Sequence, residues 1–181
     1  MPLSAPYTIR PFKPSDARPL AEIQVNSYQV AYAGLLPEDY LAGFNLDEQE
    51  QDWLDWLAGH PQDLLQVAVH PPAELIGYAL ARPQADWPGY ASELLALHIC
   101  PGWQGRGIGR SLVRACAAQL QAQGCTSLMV WVLSGNQRAR YFYEKLGGKL
   151  LGERSVSFYD EPGGFQISES AYGWERVADL V

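Results

Sequence analysis

Apolar and polar residues follow two rhythms along this chain, and each change of rhythm marks an element. Tyr7–Phe12 is rich in β-formers with partial alternation and is broken by Lys13-Pro14, so a strand is expected there. Ser15 stands where a helix cap is wanted. Leu20, Ile23, Ser27, Val30 and Ala31 then recur near one face of a helix that Gly34 stops. Pro37 opens a short helix through Tyr40, Leu41 and Phe44. Asp47 and Glu50 have the form of a capping box ahead of the stripe Trp53, Leu54 and Leu57, which Gly59 and Pro61 end. Two strands, Leu65–His70 and Leu75–Ala81, flank Pro71-Pro72, and a loop bearing Pro and Gly covers 82–90.

The second half carries the stronger signal. Glu93–Ile99 reads as a strand. Ile108–Gln123 reads as an amphipathic helix with Ile108, Leu112, Val113, Cys116 and Leu120 inward and Gly124 as its stop. Ser127–Leu133 is a nearly continuous apolar strand, as in a sheet covered on both faces. Asn136–Leu146 is a helix with Phe142 and Leu146 on one side, ended by Gly147-Gly148. Lys149–Ser157 and Gln166–Trp174 close the chain as a strand pair around Asp160–Gly164. No internal repeat interrupts this order. It predicts one α/β domain over residues 1–181 with a sheet of mixed direction.

Composition narrows the function. Hydrophobic residues at 48% and charged residues at 18% exclude a disordered chain. Thirteen basic against twenty acidic residues give −7, which disfavours a nucleic-acid partner. Residues 1–90 hold four Lys/Arg against twelve Asp/Glu, while 91–181 hold nine against eight. Cys100, Cys116 and Cys125 form no CxxC pair, so neither a disulfide frame nor a metal site is expected, and reduced thiols fit a cytoplasmic protein. No apolar run is long enough to span a membrane, and no charged-then-apolar leader opens the chain.

The sharpest local feature is Gln104-Gly105-Arg106-Gly107-Ile108-Gly109, set between a strand and a helix. Three glycines at a spacing of two permit a close backbone approach, and the amides that they leave bare lie at the positive end of a helix. Together these make an anion site. The dinucleotide fingerprint is excluded because the spacing is G-x-G-x-G. The NTPase phosphate loop is excluded because no Lys follows the glycines.

Glu93–Trp103 followed by Gln104–Gly109 resembles motif A of the GNAT acetyltransferase superfamily, Q/R-x-x-G-x-G/A. Asn136–Gly147 resembles its motif B, N-x-x-A-x-x-F-Y-E-K-x-G. The match is strong over 92–147 and weaker at Tyr32–Leu41 and Ala171–Trp174. Gly148 departs from it, since the family usually carries Phe there. The resemblance implies a mixed, mostly antiparallel sheet of about six or seven strands with about four or five flanking helices. It also implies acetyl-CoA as co-substrate and a primary amine as acceptor, either a small molecule or a protein amino group, with direct transfer in a ternary complex. A non-catalytic acyl-CoA-binding or regulatory module is the alternative. A homodimer through the C-terminal strand is compatible with such a fold.

On that resemblance the backbone of Gln104, Gly105, Arg106, Gly107, Ile108 and Gly109 would hold the pyrophosphate, and the main chain of Leu97 and Ile99 would face the pantetheine and thioester. Arg106, Arg110 and Arg114 would form one basic stripe on a continued helix, meeting a coenzyme phosphate or solvent. Arg138 and Arg140 carry the same two readings, and Asn136 suits both a helix cap and a coenzyme contact.

The chemistry asks for a base to deprotonate the amine, a fixed donor for the oxyanion, and an acid for the leaving thiolate. Tyr143 is the acid of choice. Tyr141 lies about 200° away on the helix, so the two cannot share the role. Glu93 is the preferred base, acting through water. His98 has the better intrinsic pKa, but strict alternation turns it to the opposite face from Glu93 unless a bulge shifts the parity. Cys100 raises a minor route through an acyl-cysteine. Aromatic residues and acids in the acceptor-side segments (Tyr28, Tyr32, Trp53, Trp56, Trp87, Phe158, Tyr159, Phe165, Asp160 and Glu161) suit a cationic amine.

Overall fold

Seven segments whose apolar side chains alternate between two faces assemble into one sheet in the computed structural model, which describes residues 7–158 and 164–181. The strands are β1 (Thr8–Pro11), β2 (Leu64–His70), β3 (Glu74–Arg82), β4 (Glu93–Ile99), β5 (Leu128–Leu133), β6 (Lys149–Phe158) and β7 (Phe165–Trp174), in the order β1-β2-β3-β4-β5-β7-β6. Only β4 and β5 run parallel; the other neighbours are antiparallel. Tyr159, Asp160 and Glu161 lie outside the described residues.

The helices are α1 (Ala17–Ala31), α2 (Glu38–Ala42), α3 (Leu46–Gly59), α4 (Ile108–Ala122) and α5 (Gln137–Lys145). Helix α4 lies on one face of the sheet, burying Ile108, Leu112, Val113, Cys116, Ala117 and Leu120 against Ala79, Ala81, Leu94, Leu128 and Val130. Each of the larger side chains contributes about 1.5–3 kcal/mol by leaving water. Helix α5 packs on the same face through Ala139, Phe142 and Leu146. Helices α1 and α3 cover the other face, where Leu20, Ile23 and Trp53 meet Val67, Tyr78 and Leu80. Among the described residues no helix is long and apolar enough to cross a membrane.

Several local expectations are corrected by longer-range contacts. Ser15 is not the first cap. The Asp16 carboxylate accepts from Lys13 N at 2.8 Å and is held by the Arg10 guanidinium at 2.6 Å, which keeps its pKa below the usual carboxylate range. Asn45 caps α3, accepting from Asp47 N and Glu48 N, while Asp47 turns outward to Arg18. Val30 and Ala31 do not join the core; Val30 is 65% exposed. Gly148 leaves room for the ring of Trp174, which would stand 2.8 Å from a Cβ there and whose Nε1 donates to Leu146 O.

Gly77 on β3 lies so close to β4 that an added Cβ would meet His98 O and Ile99 Cδ1, each at 2.7 Å. Gly77→Ala is therefore expected to cost about 1–3 kcal/mol, as overpacking does. A urea midpoint equal to that of the parent protein would show that β3 and β4 are not in register as described.

Candidate active site

The central feature is a parting of two strands. Strand β4 pairs with β5 only at Glu93–Met129 and Leu94–Val130, and then the two diverge. On its other side β4 stays bonded to β3, and Cys100 N donates to Ile76 O at 3.0 Å. Bonding alternates along a strand, so His98 and Ala96 turn their main-chain groups to β3 while Leu97 and Ile99 turn theirs into the gap. The Ile99 carbonyl accepts from Gln104 Nε2 at 3.0 Å.

A cleft of about 630 Å³ runs through this gap. Leu97, His98 and Ile99 form its floor. Gly105, Gly107, Ile108, Gly109 and Arg110 border it at the α4 end, and Asn136, Arg138, Ala139, Phe142, Tyr143 and Lys145 on the α5 side. Ser27, Val30 and Ala31 of α1 border the far side. The last three were not legible as site residues. The only signal for them was an apolar pair at the end of α1, which reads equally as core.

The glycine loop does what its spacing predicts. Gly105 and Gly107 have φ of +77° and +82°, in the left-handed region that side chains avoid. Gly107 is the N-cap of α4, so the free N–H groups of the first turn face the cleft end. Gly109 lets α5 approach, since a Cβ there would stand 3.2 Å from Phe142 Cζ. Because α4 starts only at Ile108, Arg106 lies off the helix with its guanidinium 4.9 Å over the Trp103 ring, and the expected three-arginine stripe is broken. Arg110 and Arg138 border the cleft. Arg140 does not; it bonds Tyr172 Oη at 3.1 Å and Ser134 O at 3.1 Å. Asn136 both caps α5, accepting from Ala139 N at 3.1 Å, and borders the cleft.

Tyr143 is 6% exposed at the cleft wall, edge-on to Trp174, and burial pushes its phenol above the usual tyrosine range. Its hydroxyl makes no hydrogen bond to the described residues. Tyr141, 60% exposed, stands at the mouth under Lys145 Nζ. Cys100 does not border the cleft. Its Sγ lies 4.0 Å from Leu75 O, and burial raises its pKa.

The parity of β4 is set by a bulge. Leu80 pairs with Ala96 but Ala81 with Leu94, leaving Leu95 extra. Leu94, Leu97 and Ile99 pack toward α4, whereas Leu95 and Ala96 both pack toward α1 and α3. The extra residue brings Glu93 to the same face as His98, the outcome that strict alternation forbids. His98 packs beside Tyr78 and Tyr28 with ring centroids at 5.2 and 5.5 Å, and burial lowers its pKa to about 4.

Glu93 does not border the cleft itself. It lines a second cavity of about 370 Å³ with Arg82, Gln84, Ala85 and Asp86. Burial raises its pKa, partly offset by the Asp86 N–H, which donates to it at 3.2 Å, and by Arg82. Arg154 stacks 3.8 Å over Trp131 and bridges Asp86 and Glu169 at 2.5 and 2.8 Å. The acids of α3, in contrast, line neither cavity; Asp47, Glu48, Asp52 and Asp55 are exposed.

Comparison with known proteins agrees with this geometry. A family model described as the acetyltransferase (GNAT) family matches residues 29–148. The chain is 29% identical over 175 residues to the uncharacterized N-acetyltransferase YuaI of Bacillus subtilis, covering 96% of this chain and 95% of that one. It is 25% identical to the phosphinothricin N-acetyltransferase of Streptomyces coelicolor, covering 84% and 87%. Its fold is similar to that of the PaiA N-acetyltransferase of Thermoplasma acidophilum in complex with coenzyme A, with a TM-score of 0.69 and 23% identity over 90% of this chain and 97% of that one. With two thirds of its length matched, and with the parted strands and glycine turn in place, the chain belongs to the GNAT acetyltransferase family and is an acyltransferase.

Proposed function

We propose that the protein transfers an acetyl group from acetyl-CoA directly to a primary amine. The observation that carries this reading is the gap between β4 and β5, bordered at one end by the glycine turn and floored by Leu97, His98 and Ile99, with Glu93 on the same strand face as His98. The residues present suit the coenzyme. Amides of Gly105–Gly109 and the first turn of α4 would hold its pyrophosphate, the Leu97 and Ile99 main chain would pair with its amide-bearing arm, and Arg110 or Arg138 would meet a phosphate. When bound, it supplies an activated thioester carbonyl.

In this reading Glu93, through water, takes the proton that the amine must lose, and its carboxylate draws in the ammonium form. The Leu97 N–H faces the developing oxyanion. Tyr143 gives its phenolic proton to the sulfur as the C–S bond breaks. Glu93 is preferred to His98 because its pKa is raised toward the working range while that of His98 falls to about 4, leaving a weak base.

Incubation with acetyl-CoA and a panel of amines, following free thiol and acetylated product by mass, tests the activity. Coenzyme binding without any acetylated amine would overturn it. For the base, the low-pH limb of kcat/KM is expected just above the ordinary carboxylate range and to vanish in Glu93→Gln, while the limb set by the acceptor amine persists. Activity rises with pH across the first limb because Glu93 must be ionised to act. A limb that survives in Glu93→Gln and vanishes in His98→Gln would move the role to His98.

A further inference from the structure

The second cavity contains more than the proposed base. Arg82 and Glu93 are cross-strand partners on β3 and β4 and line it together. Arg82 enters no ion pair within 4 Å among the described residues. Its guanidinium carbon stands 5.7 Å from the centre of the Trp56 ring. Its Nε is buried and has no hydrogen-bond acceptor among the described residues, and the same holds for Trp131 Nε1. Trp131 lies on the same sheet face, under the Arg154 guanidinium that reaches Asp86 of the cavity wall.

Burying a donor with no acceptor is costly, so such groups are few and call for an explanation. Here one of them, on a guanidinium with no carboxylate within ion-pairing distance, belongs to the cavity lining, while the indole lies outside that lining, beneath Arg154. The guanidinium cannot be satisfied by an amine, which in its reactive form offers a lone pair already committed to the carbonyl carbon. It would be satisfied by an anionic oxygen group. The cavity is amino-acid sized, and its two charged ends differ: a carboxylate at Glu93 and a guanidinium at Arg82.

We infer that the acceptor is a primary amine that also bears a carboxylate, its amine set toward Glu93 and its carboxylate held by Arg82. This rests on the acetyl-transfer reading above and gives its acceptor a chemical class. It also qualifies the expectation of a cationic acceptor: the ammonium is met by acids, but the molecule as a whole is zwitterionic.

The test uses the full chain, acetyl-CoA and matched pairs of acceptors: lysine with cadaverine, phenylalanine with phenethylamine, leucine with isoamylamine. The carboxylated member of at least one pair is expected to exceed its partner in kcat/KM by about tenfold or more, the range of a charge-assisted hydrogen bond. In Arg82→Met that ratio should collapse toward one, chiefly through KM. Arg82→Lys keeps the charge but loses the planar fork, and it should lower the ratio by a smaller factor even if Arg82→Met fails to fold.

A ratio near or below one in the parent protein overturns the inference while acetylation of either member upholds the transfer reading. A ratio that neither variant changes overturns it as well. If no acceptor supports thiol release, titration of the CoA-loaded protein with the same pairs decides. Tighter binding of the carboxylated member that Arg82→Met abolishes upholds the inference while the transfer reading alone falls, and equal binding of both members overturns it.

Discussion

Tyr143→Phe is expected to lower kcat by about 10²-fold to 10⁴-fold, the usual contribution of a positioned acid. Acetyl-CoA binding should stay close to that of the parent protein. The expectation follows from where the hydroxyl sits. The ring is 6% exposed and fixed between Phe142, Tyr172 and Trp174, so the substitution removes one oxygen and leaves the wall of the cleft in place. Burial raises the phenol's pKa, which keeps its proton available at any working pH. Single-turnover acetyl transfer read beside calorimetric binding separates the two effects. Turnover like that of the parent would remove Tyr143 from the acid role, and a matching loss in Tyr141→Phe would transfer it to the mouth of the cleft.

Gly107→Val should weaken acetyl-CoA binding by about tenfold to a hundredfold, through the cost of holding a branched residue in the left-handed region. Space is not the issue: the nearest atom to a Cβ at Gly107 is Tyr7 Oη at 4.0 Å. What matters is the φ of +82° that turns the chain into α4 and aims its first amides. Gly102 provides the control, since it lies nearby with open space around it and no positive φ. Gly102→Ala should bind the coenzyme as the parent does. Equal affinities for Gly107→Val and Gly102→Ala, measured by calorimetry, would show that the turn does not hold the ligand.

Patterns confined to one element could be read directly from the sequence. The six buried residues of α4 repeat at helical spacing, and the glycine turn announces its own backbone demands. Features that depend on another strand could not. Ser15 looks a better cap than Asp16 until Arg10 is brought beside Asp16 by β1. Asp47 looks like the cap of α3 until Asn45 and Arg18 are in place. The shared face of Glu93 and His98 follows from one extra residue, Leu95, which shows only when β3 and β4 are set in register. Arg82 has no local signature at all; its interest comes from standing opposite Glu93. Val30 reads as core because the wall of a cleft calls for the same kind of apolar residue as a core does.

The parted strands also divide the chain in sequence. Strands β1–β4 lie within residues 8–99 and β5–β7 within 128–174, so almost every pairing in the sheet is made inside one stretch, and only two residue pairs join the stretches. The join is set apart by its shortness and not by chain distance, since Glu93 and Met129 stand 36 residues apart while Thr8 and Val69 of the first half stand 61 apart. Helix α4 lies against β2, β3 and β4, and the C-terminal turn Val177–Leu180 comes back to pack on it, with Val177 N bonded to Thr126 O at 2.8 Å. The cleft is the seam where the two half-sheets meet. The last turn, which is tied to the second stretch through Thr126 and packs on the helix that covers the first, is thus a second link between the halves beside the two residue pairs of the sheet.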